Sequence, residues 1–167
     1  MEQLIKSFNI YMIPPLMSLV VGVTLALVSI LRGKLKKENI LFALVCVWWT
    51  LLAPIFLSHH LLDSKDAIIT VERLIHTVYV FIPFINLVFY HRVLGLQRRK
   101  VEYVTFSISV FFSITASSKY YITGLYTYNW GYMANGGILF DLFGIYAFMV
   151  LIYGIVLCVQ RIRVETN

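Results

Sequence analysis

Glu72, His76, Tyr79, Pro83, Asn86 and Tyr90 follow one another at intervals of 4, 3, 4, 3 and 4 residues. On an α-helix that spacing places all six on one face. They hold nearly every polar side chain of a run whose other faces are Val, Ile, Phe and Leu. A carboxylate, an imidazole, two phenols and a carboxamide on one stripe offer donors, acceptors and titratable groups. Lipid cannot solvate such a stripe cheaply, so it must face protein. Pro83 has no N–H, so it frees a carbonyl one turn earlier, near Tyr79, and predicts a kink. One reading makes the stripe a ligand-pocket wall, with Glu72, His76, Tyr79 and Asn86 as contacts and Pro83 as a conformational hinge. The other makes Tyr79 and Asn86 hydrogen-bond glue between helices.

Three further groups invite chemistry. His59, His60, Asp63, Asp66 and His76 cluster near one end of the apolar runs. Their atoms suit zinc, and histidine titrates near neutrality, but the spacing matches no HExxH-type motif. Simple location at a membrane interface also accounts for them. Between Ser117 and Gly137 lie Tyr120, Tyr121, Tyr126, Tyr128, Trp130 and Tyr132. This connector reads as an aromatic belt or as a cap over a pocket, and Tyr120–Tyr128 alternates as an extended hairpin would. Ser18, Gly22 and Ala26, and likewise Thr105, Ser109, Ser113 and Ser117, recur every four residues and predict helix-packing faces. GxSxG, Walker and HExxH motifs are missing, so the chain reads as a non-enzyme with no cofactor or metal. Glu102 and Asp141 lie at span edges, so no carboxylate sits mid-membrane, and no inverted repeat is visible. A proton pump or transporter is disfavoured accordingly.

The elements that must position these groups follow from composition. Of the 167 residues, 60% are apolar and 13% charged, against about 45–50% and about 25% in soluble domains. Mean hydropathy is +0.82. This excludes a disordered chain, a nucleic-acid-binding domain and a disulfide-stapled module. Cys46 and Cys158 lie within apolar runs and read as inert buried thiols. Five continuous apolar runs, at about 10–31, 39–57, 71–90, 101–117 and 138–160, predict an all-α polytopic membrane bundle of five transmembrane helices. The first run is too long for a cleaved signal peptide and lacks a small-residue cleavage site, so it is expected to be retained. Ten of the 14 basic residues fall between runs one and two, between runs three and four, and after run five. The positive-inside rule then predicts an outside N-terminus and a cytoplasmic C-terminus. A cysteine at Lys37 or Arg99 should react with an impermeant maleimide only in inverted vesicles, and one at Lys65 only in right-side-out vesicles. The opposite pattern would reverse the orientation.

The stretch from Pro15 to Gly95 resembles the seven-helix membrane sensor region of bacterial and archaeal histidine kinases. The matching features are Asn39 to Leu44 with Trp48 and Trp49, then Glu72 to His76 leading into Phe81 and Pro83. Trp130 to Tyr132, Gly137, Leu142, Phe143 and Tyr146 continue the match. Such regions carry two more helices and then a cytoplasmic kinase or cyclic-dinucleotide-synthase module. This sequence stops soon after Arg163, without a phosphoacceptor histidine or nucleotide motif, so the resemblance implies the sensing half of a two-component system. It adds Arg73, Trp130 and Gly137 to His76 and Pro83 as site candidates. The expectation is an input domain in a prokaryotic inner membrane, binding a signal on its outer side. Its expected partners are the bilayer, a second copy or another membrane protein, and a cytoplasmic signalling module. The rival expectations are a non-enzymatic subunit of a larger complex, or an oligomeric channel or solute carrier.

Overall fold

The computed structural model describes residues 10–33, 36–129 and 131–166, with backbone alone for 164–166. Pro14 and Pro15 open the first helix, α1 (Ile13–Arg32), where their missing N–H groups have no intrahelical partner to lose. The second apolar run forms α2 (Lys37–Thr50) and α3 (Leu52–Leu61), interrupted at Leu51, three residues before Pro54. The third forms α4 (Lys65–Tyr79) and α5 (Ile82–Val93). The Ser64 hydroxyl caps α4 by accepting from the Ala67 N–H. Then follow α6 (Arg99–Thr115), strands β1 (Ile122–Tyr128) and β2 (Gly131–Gly136), and α7 (Ile138–Thr166).

Among the described residues, four helical stretches are long and apolar enough to cross a membrane: Ile10–Arg32, Lys37–Leu61, Lys65–Val93 and Ile138–Arg163. The sequence predicts five. The fourth run becomes α6, only 17 residues long, at the lower limit of the ~17–25 that span hydrocarbon. Basic residues at its start and a Ser/Thr-rich end limit its apolar length. The all-α expectation also needs a correction, because β1 and β2 form an antiparallel hairpin from Ile122↔Gly136 to Tyr128↔Gly131. The β-favouring Ile122, Thr123, Tyr126, Thr127 and Tyr128 suit the extended form. Gly131 has φ +143°, a conformation that a side chain would strain.

The α4–α5 helix is the centre of the molecule. Its α5 half packs on α2, α6 and α7, and its α4 half on α3, α6 and β1. The hairpin rests on α3, α4 and α7, whereas α1 packs along α2 and α3. Gly22 brings α1 close to α2, since a Cβ there would strike the Thr50 methyl. Ala26 joins Ala43 and Cys46 in a small core, while Ser18 is exposed. On α6, Thr105 and Ser109 are buried and Ser113 half-buried, whereas Ser117 is exposed. Elsewhere large apolar side chains cover the surface, including Val20, Leu31, Ile114, Phe148 and Met149. Exposure on that scale marks a face made for lipid or protein rather than water.

Between α4 and α5 the ladder breaks at Val80 and Phe81. The Phe81 N–H turns to the Val78 carbonyl (3.2 Å), the tighter three-residue pattern, and Pro83 has no N–H to give Tyr79. Neighbouring helices supply side-chain donors at the break. The Ser113 hydroxyl donates to the Thr77 carbonyl (2.6 Å), and the Trp48 indole N–H donates to the Val78 carbonyl (3.0 Å). Ser113→Ala and Trp48→Phe should each cost about 1 kcal/mol, the scale of interhelical hydrogen bonds in membranes. Unfolding by sodium dodecyl sulfate in mixed micelles reads this. Losses no greater than that of a lipid-facing control such as Ile114→Ala would mean the break does not depend on its caps.

Candidate functional site

The polar stripe of the third run is divided by the break into two sites of different chemistry. The first lies on α4 beneath the hairpin. Glu72, 1% exposed, receives a hydrogen bond from His59 Nε2 of α3 at 2.6 Å. His76 Nδ1 donates to the Glu72 carbonyl at 2.8 Å and lies 3.3 Å from Glu72 Oε2. The helical interval of four brings His76 back over Glu72, and the α3–α4 turn brings His59 across from the preceding helix. A buried carboxylate without such donors would be very costly. The His76 ring is packed among Tyr79, Tyr121 and Phe140.

Arg73, the next residue, reaches outward and donates from Nη2 to the Ile122 carbonyl of β1 at 2.8 Å. Tyr121, fully buried just before β1, has no hydrogen-bond partner for its hydroxyl among the described residues. Burial pushes its phenol well above the usual range, and the nearby Glu72 carboxylate adds to the rise. It therefore stays protonated, a donor beside the carboxylate cluster. Gly137 lets the chain turn from β2 into α7, because a Cβ there would strike the Tyr120 carbonyl. Trp130 lies outside the described residues.

The second site lies on α5. Tyr79, Pro83, Asn86 and Tyr90 line a cavity of about 260 Å³ whose opposite wall is α7, with Phe143 and Ala147. Gly154 of α7 lets the Tyr90 ring approach, since any Cβ there would overlap it. Asn86 and the hydroxyls of Tyr79 and Tyr90 make no hydrogen bond among the described residues.

The structure also separates residues that the sequence suggested together. Of the histidine and aspartate group, His59 and His76 meet on Glu72, His60 stacks on Tyr11, and Asp63 and Asp66 are exposed. Among the described residues no three His, Cys, Asp or Glu side chains are arranged to hold a metal. Asn86 is not interhelical glue here, whereas Ser109 is, sharing a hydrogen bond with the Tyr146 hydroxyl (2.9 Å). The Tyr146 hydroxyl lies 3.0 Å from the Thr105 carbonyl as well.

A third cluster has no counterpart in the sequence reading. His91, fully buried at the end of α5, donates from Nδ1 to Glu102 of α6 at 2.8 Å. Its Nε2 accepts from the Tyr153 hydroxyl of α7 at 3.2 Å, and Arg98 donates to that same oxygen at 3.1 Å. This tautomer is the one that satisfies all three bonds. His91 and Arg98 are visible in the sequence only as connector charges. The eleven-residue separation of His91 from Glu102 follows no helical period, because a turn intervenes.

Apolar helices of spanning length around buried polar clusters define a helical bundle consistent with an integral membrane protein. No family model, curated protein or solved structure matches the chain.

Removing one partner of the Glu72 cluster should cost more than removing two. Glu72→Leu alone leaves His59 with an unmatched buried donor, about 1–3 kcal/mol. Combining it with His59→Leu should recover part of that loss in a double-mutant cycle read by thermal unfolding in detergent. Strict additivity would show that the two side chains do not support each other.

Proposed function

We propose that the chain is a membrane-embedded sensor input domain, binding a signal at the hairpin-covered end and passing it along the central helix. The observation that carries this reading is the broken third helix, tied at both ends by different polar networks. At one end Arg73 couples α4 to the hairpin, and Glu72 couples it to α3. At the other, His91 couples α5 to α6 and α7. A shift of the hairpin pulls on α4, and the break at Val80–Phe81 lets α5 respond by tilting rather than by rigid translation.

In this reading the 17-residue α6 is the fourth of five spans, about 25 Å long at 1.5 Å per residue, which a bilayer accepts by thinning locally. The hairpin then faces outside, and the basic ends of α1, α5 and α7 lie in the cytoplasm of a prokaryotic cell. The sequence resemblance supports a two-component role, with a cytoplasmic module or separate partner as the reader. Assembly with other chains, as a subunit or a channel, draws less support from the fourth run. Its Ser109 and Ser113 hydroxyls are already engaged within the chain.

With a histidine-kinase reporter joined to its C-terminus, the chain should give an output that depends on the outer medium. His76→Ala and Arg73→Gln should change that dependence at least severalfold while membrane insertion is unchanged. Parent-like output from both variants over a wide range of pH, salts and small molecules would defeat the assignment of the outer cluster as the sensing element.

A further inference from the structure

We infer that the cavity between α5 and α7 is a binding site for an uncharged, lipophilic small molecule with one hydrogen-bonding head group, such as an alcohol or ketone, entering sideways from the bilayer. This goes beyond the sensor reading and does not depend on it.

Three observations converge. First, the cavity is reached through the lipid-facing surface. Its rim includes Trp49, Phe148 and Leu151, which are 47%, 61% and 46% exposed, and all three lie within spanning-length helices. A molecule dissolved in hydrocarbon meets this opening directly. Second, no Lys, Arg, His, Asp or Glu lines the cavity. A charged ligand would find no counter-charge in a low-dielectric wall, so neutral molecules are selected. Third, the wall is not wholly apolar. Asn86 is among the residues that line it, and its carboxamide has no hydrogen-bond partner among the described residues. At membrane depth, such groups lose water and need another partner. A carboxamide offers both donor and acceptor, so one alcohol or carbonyl head can pair with it while its hydrocarbon fills the space between Pro83 and Ala147. The volume, about 260 Å³, lies just below the usual ~300–1,000 Å³ of ligand pockets. It suits a short-chain molecule rather than a two-tailed lipid.

The test is photolabelling of the full chain in phosphatidylcholine vesicles with a diazirine-bearing octanol, its octanoate analogue serving as the charged control. Labelled residues are located by mass spectrometry. Saturable labelling is expected on segments 79–90 and 143–151, displaced by unlabelled octanol and much weaker with the octanoate. Ala147→Phe, which fills the space, should abolish it. Asn86→Leu, which keeps the volume but removes the head-group partner, should raise the half-saturating concentration about tenfold, as loss of one hydrogen bond implies. Val20→Phe on the lipid face of α1 should leave it unchanged. Several results would overturn the site. One is labelling spread evenly over all lipid-facing helices without saturation, as for simple solvation by the bilayer. Another is saturable labelling unaffected by Asn86→Leu and Ala147→Phe, or equal labelling by octanoate. Loss of octanol labelling together with copy-to-copy disulfides in a Phe148→Cys variant would make the opening a contact between two chains instead. Because labelling reads binding and the kinase reporter reads output, failure of either proposal leaves the other standing.

Discussion

A backbone carbonyl in hydrocarbon must find a donor inside the protein, and the third helix of this chain breaks that supply in its middle. The molecule is arranged around repairing it. Phe81 turns to Val78 and so leaves the Thr77 carbonyl to Ser113 on one neighbouring helix, while Trp48 on another adds a second donor to Val78. Those two side chains fix where α2 and α6 stand against the centre. Val80, fully buried at the break, joins Phe112, Tyr121 and Phe143 in the main core. An uninterrupted helix would need neither cap. The interruption therefore specifies the packing of the bundle as well as the shape of its central element.

The polar groups are distributed to match. Charge is kept to the two ends, where two buried pairs bridge helices: Glu72 with His59, and His91 with Glu102. The middle holds only neutral polar groups, Asn86 and two phenols. This ordering follows from cost. Leaving a charge unpaired in a low-dielectric interior is far more costly than leaving an amide unpaired. The neutral groups alone can wait for a ligand without destabilising the apo bundle beyond recovery. Breaking a paired end network would carry the greater penalty.

How far the sequence foretells this depends on whether a feature is periodic. The stripe from Glu72 to Tyr90 was readable because its residues share a helix face, and the kink was readable because proline cannot donate. The Gly22–Ala26 contact follows from residue size at the same period. The division of the stripe into a charged and a neutral site was not readable, since a period says which residues share a face but not what stands opposite. His59 reaches Glu72 across a turn between helices, and Asn86 faces a cavity because α7 presents Ala147 and Phe143 there rather than a hydrogen-bonding residue. His91 looked like a connector charge because it adjoins Arg92, yet it is fully buried by α6 and α7. The count of spanning helices turned on α6, whose apolar run ends in serines that serve packing as readily as they end a helix.

The cavity and the break have one physical origin. A helix that loses a turn of hydrogen bonds changes direction, and a straight neighbour cannot follow both halves closely. Here α7 runs without interruption through 29 residues, packing on both β2 and α5. The space lies beside Tyr79 and Pro83, and the helices approach closely where Gly154 admits the Tyr90 ring. Filling that space with a bulky residue at Ala147 would have stabilised the bundle by removing a void. A small side chain there, facing unpaired polar groups, instead keeps room beside the bend. A molecule in that room would contact α5 and α7 at once and bias the angle between the two halves of the central helix.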